Sequence, residues 1–254
     1  MKKFACSLLL LLCPLIAFAQ AAAAAPAAAA APAAPKKNTI TTYRIWAKDG
    51  QSAALKAALT AHAQKYHTGN WKWRVNDVIS GPDSGSFQIV EGPNTWTDLE
   101  GRGDLGAEHM KDSDSLMSHV EKSSARSYLT FVEEASTTAS TNWSNKSAIT
   151  HYYFKPGRGP ATLEILKSLK KYWEKQGYNV VVWSAYASGE PQYATVRRFK
   201  DGWKDLDVNN PTMREAFEGA YGAGSYDKLL DELNRCVDHT VPEMIEFKPA
   251  LSSK

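Results

Sequence analysis

Cysteine is nearly absent from this chain. Three of 254 residues are cysteine, and two of these, Cys6 and Cys13, stand in an N-terminal stretch that reads as a removable signal. Only Cys236 then remains, which excludes an intrachain disulfide even in an oxidising compartment. Cys236 lies at helical spacing from Leu229, Leu233 and Val237, and is expected to be a small buried apolar residue rather than a reactive thiol. Charge of one sign is lacking as well. Thirty basic residues face 27 acidic ones, and no long Lys/Arg run exists, so neither nucleic acid nor an anionic membrane is implied as a partner. There is no Gly-rich phosphate loop, no Gly-x-Ser-x-Gly elbow and no Cys-x-x-Cys, which removes the readings those motifs carry. Gly101-Arg102-Gly103 and Gly157-Arg158-Gly159 read as turns.

What is present begins with an address. Lys2 and Lys3 precede a short apolar run, Leu8 to Leu12 with Leu15 and Ile16, and then the small residues of Ala17-Phe18-Ala19. This is the pattern of a signal peptide over 1–19. The apolar run is too short to span a membrane comfortably, so no stable membrane insertion is expected after cleavage. Removing Lys2 and Lys3 leaves 28 basic and 27 acidic residues, a formal charge of +1. Residues 20–37 are almost wholly Ala and Pro. Pro26, Pro32 and Pro35 interrupt helix, and nothing large is available to bury, so the segment reads as a tether. Asn142-Trp143-Ser144 and Asn145-Lys146-Ser147 are sequons that only a eukaryotic secretory host could glycosylate. The Lys-Lys start favours a bacterial host, and with it a periplasmic or secreted location.

The remainder repeats itself. Ile40-Thr41-Thr42-Tyr43 recurs as Ile149-Thr150-His151-Tyr152, Gly81 as Gly189, and Trp96-Thr97-Asp98-Leu99 as Trp203-Lys204-Asp205-Leu206, at offsets of 107 to 109. Landmarks in one order at one spacing indicate a duplicated module. In the first copy, 38–136, alternation over Ile40 to Ala47 predicts a strand. A helix follows over Ser52 to Tyr66, then strands over Trp71–Ser80 and Ser86–Glu91, and a helical stretch from Thr95 resumed through Ser113 to Ser124. Arg126–Glu133 closes the copy as a strand. Residues 137–147, rich in Ser, Thr and Asn, form a linker. The second copy, 148–250, gives the same order, with strands at Ile149–Phe154, Tyr178–Ala187, Gln192–Phe199 and Met244–Phe247. Its helices are expected at Pro160–Gln176 and in pieces over Gly202–Val237. Each copy therefore reads βαββαβ. The expected class is α+β: two tandem ferredoxin-like modules packed sheet to sheet as an intrachain α/β barrel, a monomer with an internal pseudo-dimer.

With this topology and the Trp96-Thr97-Asp98-Leu99 stretch followed by Leu105 and His109, residues 38–250 resemble the dimeric α/β-barrel superfamily. That group contains antibiotic-biosynthesis-type and haem-degrading monooxygenases. The haem-degrading members carry an aromatic-Thr-Asp-Trp-Leu stretch with a histidine thirteen positions after the aromatic, the Trp96-to-His109 spacing here. In them that histidine ligates haem iron, while a first-strand Asn and the motif Trp shape the site. This chain has no such Asn near Tyr43 and has Leu99 about where the Trp would stand. Ala216 and Phe217 lie near the His109 position of the second copy, so a histidine site exists in one copy only. The sequence leaves the cofactor unknown.

His109 is the candidate acid/base or ligand group; its alternative is a surface histidine between Glu108 and Lys111. His62 falls on the apolar stripe of the first helix and reads as a core or pocket histidine. His67 near the helix end suits the helix dipole. Five residues apart, they lack the i, i+4 spacing of a helical metal pair, and no metal site is expected. Eight tryptophans suggest an aromatic-lined cavity between the sheets for a small apolar or aromatic ligand. Trp71 and Trp73, sharing one strand face, would form its wall together with Tyr43 and Trp183. The expected function is an exported protein that binds such a ligand, with monooxygenase-like activity. The rival is a non-catalytic envelope structural or interaction protein, favoured if the inter-sheet space is filled.

Overall fold

Alternation along Thr39–Ala47 (β1) sends Ile40 to one face of a sheet and Tyr43 and Ile45 to the other. The two faces meet different neighbours, and this division organises the molecule. The computed structural model describes residues 34–185, 188–207 and 211–254. The signal peptide, most of the Ala/Pro tether and the last two residues of the expected Tyr178–Ala187 strand lie outside the described residues. None of the described helices is long and apolar enough to cross a membrane.

After β1 come helix α1 (Ser52–Tyr66), strands β2 (Trp73–Val78) and β3 (Phe87–Asn94), helices α2 (Trp96–Gly101) and α3 (Ala107–Met117), and strands β4 (Val120–Ser123) and β5 (Ser127–Phe131). The second half supplies β6 (Lys146–Phe154), α4 (Gly159–Lys175), β7 (Asn179–Ala185), β8 (Gln192–Arg198), α5 (Met213–Tyr221), α6 (Ser225–Cys236) and β9 (Val237–Phe247). All strand pairings are antiparallel. The order β3-β2-β9-β6-β8-β7-β5-β1 closes on itself through β1–β3, giving an eight-stranded antiparallel barrel with β4 added beside β1. Within each half the order of the barrel strands is fourth, first, third, second. The halves join at two seams, β2–β9 and β5–β7.

The barrel lumen is packed. Ile40, Val78, Val90, Ile149, Val181, Trp183, Ala194 and Ile245 form one buried cluster, and only about 50 Å³ of free space remains beside it. That space holds a water or two and no organic ligand. The space between the sheets is thus far smaller than expected, and Trp183, buried in this cluster, is one of the residues that line it. Two other clusters lie on the outer faces, under the helices. Leu55 and Leu59 of α1 pack on Ile45, Val75, Phe87 and Ile89 in the first half. Ile165, Leu166, Leu169, Tyr172 and Trp173 of α4 pack on Val180, Val182 and Tyr193 in the second, with Cys236 buried among them.

Three sequence expectations shift. Trp71 belongs to a short 3-10 turn, Gly69–Trp71, because the strand begins only at Trp73. The shared face argued for Trp71 and Trp73 is lost with it. The helix expected through Ser124 stops at Met117, and Val120–Ser123 pairs with β1 instead. The last strand is much longer than Met244–Phe247, since Val237–Phe247 lies along β6 for nearly its whole length.

Candidate functional site

The helix-covered face of the first half gathers a cluster of buried polar and charged groups, His62, His67 and Glu91. The buried stripe of α1 runs Leu55, Leu59, His62, Ala63, so the helical period places an imidazole where an apolar residue would be expected. His67 caps the same helix, its N–H donating to the Ala63 carbonyl at 3.2 Å. Because His67 lies past the last helical residue, its ring turns back toward His62. The five-residue spacing is therefore no obstacle to their meeting, and the two Nε2 atoms stand 3.2 Å apart. His109 sits in the first turn of α3, not in a loop, and its ring centroid lies 4.9 Å from that of His62 and 5.7 Å from that of His67. One ring nitrogen from each of the three lies within 4.8 Å of those of the other two.

Carboxylates hold these rings. Asp112, one turn beyond His109 on α3, bonds His62 Nδ1 at 2.7 Å. Glu91, near the end of β3, is 4% exposed. Its Oε2 accepts from Trp73 Nε1 at 3.1 Å and lies 3.2 Å from His67 Nδ1, while its Oε1 accepts from Arg102 Nη1 at 2.7 Å. Arg102 directly follows α2, and its guanidinium also lies over the Trp71 ring. A carboxylate so deeply buried is tolerable only with such partners. β3 bends just beyond it, at Gly92, where φ is +109° and a Cβ would come within 2.9 Å of the Thr39 carbonyl.

Titration behaviour follows from burial. Desolvation lowers His67 to a pKa of about 4, outweighing the pull of Glu91. His109 is also lowered, first by burial and then by His62 and Arg102. Both rings are therefore neutral at pH 7. Burial raises the Tyr43 phenol well above its ordinary range, so it too is uncharged. The Nε2 atom of His109 is buried with no hydrogen-bond partner, an acceptor or ligand atom in need of a partner.

These groups open into a cavity of about 430 Å³ lined by Tyr43, His62, His67, Trp73, Arg102, Leu105, His109, Leu116, Met117 and Arg126, among others. The volume suits a small organic molecule. Tyr43 and Trp73 meet edge to face, with centroids 6.0 Å apart, and the His67 ring stacks on Trp73 at 3.6 Å. Of the residues singled out in the sequence, Tyr43, Trp73 and His109 meet here. Trp71 touches the site only through Arg102, and Trp183 lies in the lumen. His62, read as a core or pocket histidine, also lines the cavity, while His67, Glu91, Arg102 and Asp112 were not recognisable as site residues. The available signals were a histidine on a buried helical stripe and a lone glutamate ending the apolar strand Phe87–Val90.

No protein-family model matches the sequence, and no curated protein is significantly similar to it. Solved structures share its fold. A Fusobacterium nucleatum protein assigned as a monooxygenase aligns at a TM-score of 0.52 and 11% identity, over 82% of this chain and 91% of its own. An anthrone oxidase-like protein aligns at 0.55 and 12%, over 84% and 92%. These likenesses show that the α/β barrel of this chain is a fold found in solved structures. Haem, which the haem-degrading members of the dimeric α/β-barrel superfamily bind, does not fit the histidine cluster. A porphyrin occupies four positions around iron and leaves two opposite one another, whereas three mutually close imidazole nitrogens need three adjacent positions.

Proposed function

We propose that this protein binds a small, flat, largely apolar ligand in the first-half cavity and acts on it with monooxygenase-like chemistry. The observation carrying this reading is the cavity itself: aromatic walls from Tyr43 and Trp73, apolar Leu105, Leu116 and Met117, and neutral imidazoles facing in. Arg102 and Arg126 at the same cavity favour a ligand with an electron-rich or anionic edge, such as a phenolate or carboxylate. Trp73 and Tyr43 orient the ring, the apolar side chains exclude water, and His109, with its unpartnered Nε2, is the acid/base or ligand group. In this reading the scaffold is two fused ferredoxin-like modules acting as a self-contained monomer, exported by its signal peptide to a bacterial periplasm or beyond.

Native mass spectrometry of the mature protein from its own host tests this. The expected spectrum shows a monomer with a mass excess lost on denaturation, and a weaker excess in Trp73→Phe and His109→Ala. A bare mass, with the added aromatic acids and phenols bound equally by both variants, would return the protein to the non-catalytic envelope reading.

A further inference from the structure

The His62–His67 contact poses a bookkeeping question about protons. Each neutral imidazole carries one N–H, and two nitrogens 3.2 Å apart cannot both be bare acceptors without cost. One consistent assignment lets Arg102 donate to His67 Nδ1 at 3.2 Å, His67 Nε2–H donate to His62 Nε2, and His62 Nδ1–H donate to Asp112. It leaves Glu91 Oε2 with only the Trp73 donor and His109 Nε2 with nothing. A second assignment puts both protons on Nδ1. His67 then donates to Glu91 and His62 to Asp112, each a carboxylate–imidazole pair. Both Nε2 lone pairs are now left facing one another, and Arg102 keeps its bond to Glu91 Oε1 while its Nη2 gives up His67 Nδ1. Only a cation between the two lone pairs makes this second arrangement complete.

We propose that His62, His67 and His109 bind one divalent transition-metal ion of the kind imidazole prefers: zinc, copper, iron or nickel. Metal–nitrogen distances near 2.0–2.1 Å put the nitrogens of a tetrahedral site about 3.3 Å apart. His62 and His67 already have this separation. His109, within 4.8 Å of both, reaches it by a small ring movement, and its buried Nε2 has no bond to give up. Asp112 and Glu91 supply the outer carboxylates that fix tautomer and ring orientation in histidine metal sites, and their charges offset that of the ion. Three protein ligands leave a coordination position open toward the cavity. The site thus deepens the ligand-pocket reading, resting on it only for what the open position faces. His119, His151 and His239 have no part in it; each bonds a side chain elsewhere, Gln51, Gln192 with Glu243, and Asp238 respectively.

The test uses the mature chain without a histidine tag, stripped with chelator and titrated with Co²⁺ alone, followed by visible absorption and calorimetry. Competition with Zn²⁺ gives the affinity for the second probe. One Co²⁺ per chain with tetrahedral-type absorption is expected. His109→Ala, a partly exposed residue whose loss spares the fold, abolishes the bands and weakens binding by more than the roughly 10- to 100-fold of an outer-partner loss. Asp112→Asn falls within that range. His239→Ala leaves binding unchanged. Circular dichroism confirms that each variant is folded. Failure to bind Co²⁺ and Zn²⁺ stoichiometrically, or binding that survives His109→Ala, overturns the proposal. No organic ligand enters this titration, so the metal site and the ligand pocket can fail separately.

Discussion

At one register position β1, β3 and β2 bring Thr41, Glu91 and Trp73 side by side, and at the corresponding position β6, β8 and β7 bring Thr150, Thr195 and Val182 together. The backbone ladder is the same; the side chains have parted. In the first half a tryptophan and a buried glutamate anchor His67 and Arg102 beneath α1 and α3. In the second, Val182 joins a continuous apolar cluster under α4, and Thr195 donates to the Thr150 carbonyl at 3.4 Å. The first half of the barrel thus keeps its helix–sheet space open and polar, and the second fills it. Interior packing of the second kind stabilises; a cluster of desolvated polar groups of the first kind costs stability and is retained where it has work to do. With the two halves closed into one barrel, the apolar half can offset what the polar half gives up.

The comparison is broken most severely at Glu91. Glu91→Ala strands Arg102, the Trp73 N–H and His67 in the interior, and a loss of about 3–5 kcal/mol is expected. Thr195→Ala, at the matching register position, removes only neutral hydrogen bonding, to the Thr150 carbonyl and the Tyr152 hydroxyl, and should cost about 1 kcal/mol. Chemical denaturation measures both. Near-equal costs would mean that the polar cluster is not integral to the first half. Next in size comes Leu169→Ala, which opens a void in the filled half and should cost about 2–5 kcal/mol. It should leave Co²⁺ stoichiometry and ligand mass unchanged. A change in either would show that the second half contributes to the site.

Repetition at one spacing and strand alternation were visible in the chain, because both follow from local periodicity. Ile40 and Tyr43 point to opposite faces of β1 as their alternation requires. The location of the cavity was not visible. Which face of a sheet is filled depends on what crosses it from the other half, and the eight lumen residues come from both. Hence Trp183, an aromatic at a matching strand position, borders only the small lumen space, while Trp73 lines the larger cavity. The cluster was hidden for a related reason. His62, His67 and His109 come from one helix, the residue just beyond it and a second helix some forty residues on. Their convergence depends on α1 packing against α3 and on the chain reversing at His67. The spacing rule that argued against His62 and His67 holds only for two residues on one helix.

The smallest effects sharpen the comparison, because here the halves agree. Thr95 and Thr212 each cap the helix that follows, accepting from the N–H of Asp98 at 2.9 Å and of Glu215 at 3.2 Å. The carboxylates of Asp98 and Glu215 in turn accept from the cap N–H at 2.9 and 2.8 Å. Either Thr→Ala change should cost about 1 kcal/mol, so stability alone will not distinguish them. Their consequences for the site should differ. Thr95 starts α2, which ends against Arg102, and Arg102 holds Glu91 under His67. Loosening that helix should weaken Co²⁺ binding several-fold, within the range expected for an outer partner. Thr212 starts α5, which packs Ala216 and Phe217 into the apolar cluster and pairs Arg214 with Asp227, far from the histidine cluster's own partners. Thr212→Ala should therefore leave Co²⁺ affinity untouched. Equal effects on affinity would show that the cap acts through general stability rather than through Arg102 and Glu91.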